Sequence, residues 1–177
     1  MQIENVVAAD ISTVLDLYDK AIAFQKTVFD KHWLGFDLEL VNQEIHEGRL
    51  WKIVEDGQIA CVYTVTYADP MIWKARSEDA AMYIHRIVTN PDFRGRGYAR
   101  VIAEWAKEFA PTRDLRFVRM DTWADNKKLL DYYQDCGFKF LGTVTPENTD
   151  GLPQHYRGLS LALLEIDLDG HDDKATF

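Results

Sequence analysis

Cysteine is scarce in these 177 residues. Cys61 and Cys136 stand far apart and without metal-ligand spacing, which excludes a disulfide-stapled scaffold and leads us to expect a reduced, cytoplasmic protein. A long apolar run is also missing, so no membrane span is expected. The N-terminus, MQIENVVAAD, is already patterned and does not read as a signal peptide. Positive charge is in deficit: 20 Lys and Arg against 29 Asp and Glu give a net charge of -9. That balance argues against nucleic acid as a partner and is compatible with a cationic acceptor such as an amine. His32, His46 and His155 lie in separate segments and make no metal set, so no metal is expected. Internal repeats and interdomain linkers are absent too.

Apolar residues make up 47%, with five Trp and eight Tyr, enough to build one sizeable core in a single domain. Ile3 to Val7 reads as a strand. Asp10 reads as the cap of a helix whose apolar positions, Ile11, Val14, Leu15, Tyr18, Ala21 and Ile22, have the helical period. The aromatic stretch Phe29 to Phe36 breaks that pattern. Asp37 caps a second helix with Leu38, Val41 and Ile45 inward and Gly48 past its end. Leu50 to Glu55 and Gln58 to Tyr67 are strands joined by Asp56-Gly57, a strong hairpin signal. Asp69 to Ala80 reads as a loop. Arg116 to Trp123 is a strand, a helix carries Leu129, Leu130, Tyr133 and Cys136, and Gly137 stops it. Phe138 to Val144 and Leu159 to Leu168 are strands around the loop Pro146 to Gly158. The domain is expected over 1–168, with 169–177 a polar tail. The order implies a mixed α/β fold around one sheet.

The stretch Tyr83 to Phe109 organises the rest. Tyr83, His85 and Ile87 alternate with Ile84, Arg86 and Val88 as in a strand. Asn90-Pro91-Asp92 turns the chain. After Arg94-Gly95-Arg96-Gly97, a helix has Tyr98, Val101, Ile102, Trp105, Ala106 and Phe109 on one stripe until Pro111 ends it. Two glycines let amide N–H groups from Gly95 to Arg100 approach an anion closely at a helix N-terminus, with Arg94, Arg96 and Arg100 adding charge. A pyrophosphate suits that loop. On spacing alone, a surface turn with solvated arginines suits it equally.

Arg94-Gly95-Arg96-Gly97-Tyr98-Ala99 resembles the Gln/Arg-x-x-Gly-x-Gly/Ala signature of the GNAT superfamily of acyl-CoA-dependent N-acetyltransferases. A second segment, Asn126 to Phe138, resembles that family's Asn, a Tyr seven residues on, then Gly-Phe. The resemblance implies a single mixed, mostly antiparallel sheet flanked by helices. It also implies transfer of an acetyl group from acetyl-CoA to a primary amine by direct attack in a ternary complex. The acceptor would be a small molecule or a peptide, and a homodimer is an expectation from the family. A coenzyme-binding regulatory or interaction module without turnover is the alternative.

Carried over residue by residue, the coenzyme would be held by Arg94, Gly95, Arg96, Gly97, Tyr98, Ala99 and Arg100. Ile87, Val88 and Thr89 would present strand amides to it, and Asn126 would touch its pantetheine arm. A helix cap explains Asn126 equally well. Tyr133 matches the Tyr that protonates the departing thiolate. Tyr132, about 100° away on the helix, does not. The two N-terminal helices form one wall of the acceptor site in the family, so Trp33 and Phe36 are expected against substrate, although packing explains either residue alone. Tyr83 stands where family members carry a catalytic Glu, and it too is expected beside substrate. His85, on the same face, is the leading candidate base because an imidazole near pKa 6.5 suits proton acceptance. Glu78 or Asp79 acting through water stands behind it. Cys136 is expected to be buried and to take no covalent part.

Overall fold

A strand and two helices open the chain, and in a computed structural model of it the strands join one sheet of order β1-β2-β3-β4-β5-β7-β6. The structure describes residues 1–29, 32–146 and 158–170. In chain order the elements are β1 (Gln2–Asn5), α1 (Ile11–Val28), α2 (Leu38–His46), β2 (Leu50–Glu55), β3 (Gln58–Thr66), α3 (Pro70–Trp73) and β4 (Ala81–Thr89). Then come α4 (Tyr98–Phe109), β5 (Phe117–Trp123), α5 (Lys127–Asp135), β6 (Lys139–Val144) and β7 (Leu161–Asp167). β4 pairs β5 in parallel, whereas β1–β2, β2–β3, β5–β7 and β6–β7 are antiparallel. The mixed, mostly antiparallel sheet flanked by helices is therefore observed. Among the described residues no helix is long and apolar enough to cross a membrane.

The described residues group into two compact units. The first takes those of Met1–Thr66, Ile84–Tyr98 and Pro146–Leu159, and the second those of Tyr67–Tyr83, Ala99–Thr145 and Ser160–Phe177. In the first unit α1 and α2 lay one apolar stripe on the sheet. Val14, Leu17, Tyr18 and Val41 meet Leu50, Val62 and Val88 there, with Trp33 and Phe36 packed at the margin. Each such aliphatic side chain contributes about 1.5–3 kcal/mol by leaving water. Asp37 caps α2 by accepting the Leu40 N–H at 2.7 Å, and Gly48 leaves the helix at φ 65°, both as the sequence indicates. Asp10 differs from expectation. Its side chain does not cap α1, because it accepts the Val7 N–H at 2.9 Å and pairs with Lys52 at 2.6 Å. A buried ammonium on β2 needs that carboxylate more than a helix end in water does.

In the second unit α4 buries Ala99, Ile102, Ala103 and Ala106, with Ala110 buried just past its end, while Val101, Trp105 and Phe109 flank them. Small residues occupy the middle of the contact, and Trp105 stacks on Phe109 at 4.7 Å beside it. The stretch Asp69 to Ala80 is not a loop. Asp69 accepts the Ile72 N–H at 3.3 Å, Pro70 opens α3, and a 3-10 turn continues over Lys74–Glu78. Arg119 on β5 anchors this segment. Its guanidinium donates to Asp79 and the Arg76 carbonyl at 2.5 Å, to Glu165 at 2.7 Å and to the Tyr83 hydroxyl at 3.1 Å. The loop expected over Pro146 to Gly158 falls outside the described residues at 147–157, as does the tail at 171–177. Asp169, expected in that tail, instead pairs with Arg116.

Candidate active site

The glycine loop is shaped by its two glycines and braced by an acid. Gly95 and Gly97 take φ 80° and 72°, a left-handed backbone that costs other residues about 1 kcal/mol or more. Arg94, Gly95, Arg96 and Arg100 are exposed, and Tyr98 begins α4 with its ring buried. Glu55, at the end of β2, holds both sides of Gly97 at once: Arg96 pairs with one carboxylate oxygen and the Tyr98 hydroxyl donates to the other. The Tyr98 hydroxyl, and after it Arg96, keep the Glu55 carboxyl below its ordinary range. Burial, and then the Glu55 bond, push the Tyr98 phenol up to about 12. The Arg94 guanidinium stacks 4.3 Å over Phe24 of α1, leaving its charge at the surface.

β4 departs from a regular strand just before the expected strand amides. His85 Nε2 lies 3.0 Å from Thr66 Oγ1, while Arg86 Nη2 donates to Thr64 Oγ1 at 2.8 Å and pairs with Glu44. Thr64 and Thr66 project from one face of β3, so two consecutive β4 residues reach the same face. The cause is Arg86, whose φ of 51° breaks the alternation as a β-bulge does. Downstream of it Val88 shares the Arg86 face, in the core with Tyr18 and Val62. Ile87 therefore does not continue the face of Tyr83 and His85, contrary to simple alternation. Thr89 Oγ1 is 4.0 Å from Cys61 Sγ, a thiol that burial pushes up to about 12. Burial, then the charges of Arg86 and Arg49, push the His85 imidazole down to about 4. It is neutral at pH 7 but a weaker base than its ordinary pKa implies. Phe36 and Trp33 are half-buried with ring centroids 5.6 Å apart, and Phe36 lies 4.8 Å from Tyr18.

In the second unit, Asn126 caps α5 by accepting the Leu129 N–H at 3.1 Å. Tyr133 is buried and edge-on to Phe138 at 6.4 Å, while Tyr132 is exposed. Cys136 is a buried free thiol whose pKa burial raises. The Tyr83 ring, expected beside substrate, is fully enclosed and edge-on to Trp73 at 5.6 Å, and its hydroxyl accepts from Arg119 at 3.1 Å. Asp79 pairs with Arg119 at 2.5 Å.

The sequence reading missed Asp121. Its carboxylate oxygen lies within 4.8 Å of that of Asp69. Burial, and then the Asp69 charge, push it up to about 7. Burial lifts Asp69 to about 6, against the Ile72 N–H that favours its charge. Oδ1 of Asp121 is buried with no hydrogen-bond partner among the described residues. The available signal was a lone carboxylate inside an apolar strand, five residues before Asn126.

The model of the acetyltransferase (GNAT) family matches residues 16–138, more than half of the chain. The chain belongs to the GNAT acetyltransferase family. Among relatives of this GNAT chain, the uncharacterised N-acetyltransferase YesJ of Bacillus subtilis is 24% identical over 112 residues, 61% of this chain and 62% of that protein. The match thus spans less than two-thirds of that relative. A GNAT-family acetyltransferase structure from Listeria monocytogenes superposes with a TM-score of 0.76 at 20% identity, covering 94% of each chain. A Salmonella typhimurium structure solved with its cofactor acetyl-CoA gives a TM-score of 0.66 at 14% identity, covering 99% of this chain and 98% of that one. At these identities the two structures speak for the GNAT fold.

Proposed function

We infer that the chain is an N-acetyltransferase that moves the acetyl group of acetyl-CoA to a primary amine by direct attack. The observation that carries this reading is the braced glycine loop: left-handed Gly95 and Gly97, surface cations and the start of α4 together suit a diphosphate. Acetyl-CoA, when bound, would supply a thioester whose carbonyl carbon an amine can attack, with the thiolate as leaving group. In this reading the Ile87 and Val88 N–H groups donate to the carbonyl oxygen as it gains charge. The amine nitrogen forms the new bond to the acetyl carbon, and the bond to sulfur breaks. The Tyr133 hydroxyl gives its proton to the leaving sulfur. Asn126 sits beside the pantetheine arm, and Trp33 and Phe36 belong to the acceptor wall.

The proton lost by the amine needs an acceptor, and two groups qualify on different grounds. His85 lies on β4 next to the strand amides and is neutral, but it is weakly basic. Asp121 has a basicity matched to neutral pH. Of the two, Asp121 is the stronger base.

The test is a panel of amines with acetyl-CoA, read by release of free thiol. Arg94→Ala with Gly97→Glu should abolish coenzyme binding. A Cβ at Gly97 meets nothing within 4 Å, so the fold should survive with about 1 kcal/mol of backbone strain. Unchanged coenzyme affinity in that folded double variant overturns the assignment of the loop.

A further inference from the structure

Glycine would adopt a left-handed backbone in β4 without strain, yet arginine occupies the position. Arg86 is held there by groups that lie far from it in sequence. Glu44 of α2, only 2% exposed, pairs with its Nη2, and Thr64 of β3 accepts from the same nitrogen. The guanidinium sits 4.8 Å over Phe36 and 5.7 Å over Tyr18. Arg49 adds a second cation 3.8 Å from Glu44.

Stability alone does not account for this cluster. A buried ion pair is commonly no better for folding than apolar side chains of the same volume. Here the polar groups are also incompletely satisfied: Arg86 Nη1 and Glu44 Oε2 are buried without hydrogen-bond partners among the described residues. Backbone strain and unsatisfied buried polar atoms at one residue mark a place where geometry is being enforced. The residues that follow are Ile87 and Val88, and any rotation at Arg86 re-aims their N–H groups directly.

We propose that Glu44 and Arg86 are positioning residues for acyl transfer: their buried pair fixes the left-handed turn of β4 and so aims the Ile87 and Val88 amides. This rests on the reading of those amides as the donors to the thioester oxygen. Neither side chain touches the reacting atoms. Because the guanidinium also lies against Phe36, the pair links the turn to the α1–α2 wall.

Three variants test it: Glu44→Gln, Arg86→Gly and the double Glu44→Leu/Arg86→Met. Arg86→Gly keeps the backbone conformation accessible but removes the clamp, and the double variant leaves no buried charge unpaired should the single ones fail to fold. For folded variants, kcat for thiol release should fall by about 100-fold, the scale of a displacement near 1 Å. The KM for acetyl-CoA and the coenzyme-induced rise in Tm should change far less than kcat, since the glycine loop that would hold the diphosphate is untouched. Amide hydrogen exchange at residues 86–89 should quicken about tenfold or more, with α4 unchanged. Parental kcat in the double variant, or losses of coenzyme affinity that match the losses in kcat, overturn the proposal. Should the parent protein release no thiol with any amine, the acetyltransferase reading fails, and unchanged exchange at Ile87 and Val88 then overturns the clamp separately.

Discussion

At neutral pH an ordinary aspartate is a settled anion, but Asp121 is poised between its two forms. Burial and Asp69 raise its carboxyl to about 7, and Asp69 itself rises to about 6. Two carboxylates so close resist ionising together and so titrate as a coupled pair. If Asp121 accepts the proton, kcat should climb with pH through about 7, and Asp121→Asn should remove that inflection along with most of the rate. His85→Ala should leave the profile in place, since an imidazole near 4 is already unprotonated above pH 5. An inflection that persists in Asp121→Asn rejects Asp121. The stability consequence has a definite sign. Raised folded-state pKa values stabilise below the unfolded value of 3.8 and lose that contribution as pH rises through 6 to 7. Asp121→Asn should therefore raise Tm at pH 8, with the gain fading towards pH 4, as thermal melts across that range will read. Asp121 left only a faint mark in the sequence, and the turn at Arg86 left none. Arginine carries no local preference for a left-handed backbone, and the partner that imposes it, Glu44, is 42 residues away.

At the scale of elements, local chemistry was the readable part. Asp56 and Gly57 take φ 52° and 72°, as a tight Asp-Gly turn between β2 and β3 demands, and α4 runs from Tyr98 to Phe109 as its period indicates. The signature loop was legible too, because glycine is the direct answer to its backbone. The segment after β3 was not, for a one-turn helix is too short to show a period, even though Asp69-Pro70 is a genuine start signal. What holds that segment is remote: Arg119, with only 2% of its side chain exposed, joins it to β5 and β7. Arg119→Met should cost about 3 kcal/mol, because Glu165 would remain half-buried without its partner. Denaturant unfolding measures that loss, and hydrogen exchange should quicken first over residues 70–79. A midpoint equal to the parent's would show that the ion pairs are dispensable.

For the molecule as a whole, coenzyme binding should register as stability. A ligand at about 100 times its dissociation constant adds about 2.7 kcal/mol, or about 5–10 °C in Tm for a chain of this length. The shift should shrink as salt rises from about 50 to 500 mM, because Arg94 and Arg96 lie at the surface where ions screen them. It should vanish in Arg94→Ala/Gly97→Glu. An acidic protein with a net charge of -9 otherwise repels anions, so a salt-insensitive shift would place the diphosphate away from these arginines.

β7 lies between β5 and β6 although it follows both in the chain. On a ribosome, the nascent second unit would thus display two unpaired strand edges until residues 161–167 emerge, and only then could hydrogen bonding close across the gap. A chain cut short before Leu161 should therefore clump during synthesis or depend on chaperones, and supplying the missing strand as a separate peptide is a direct way to rescue it.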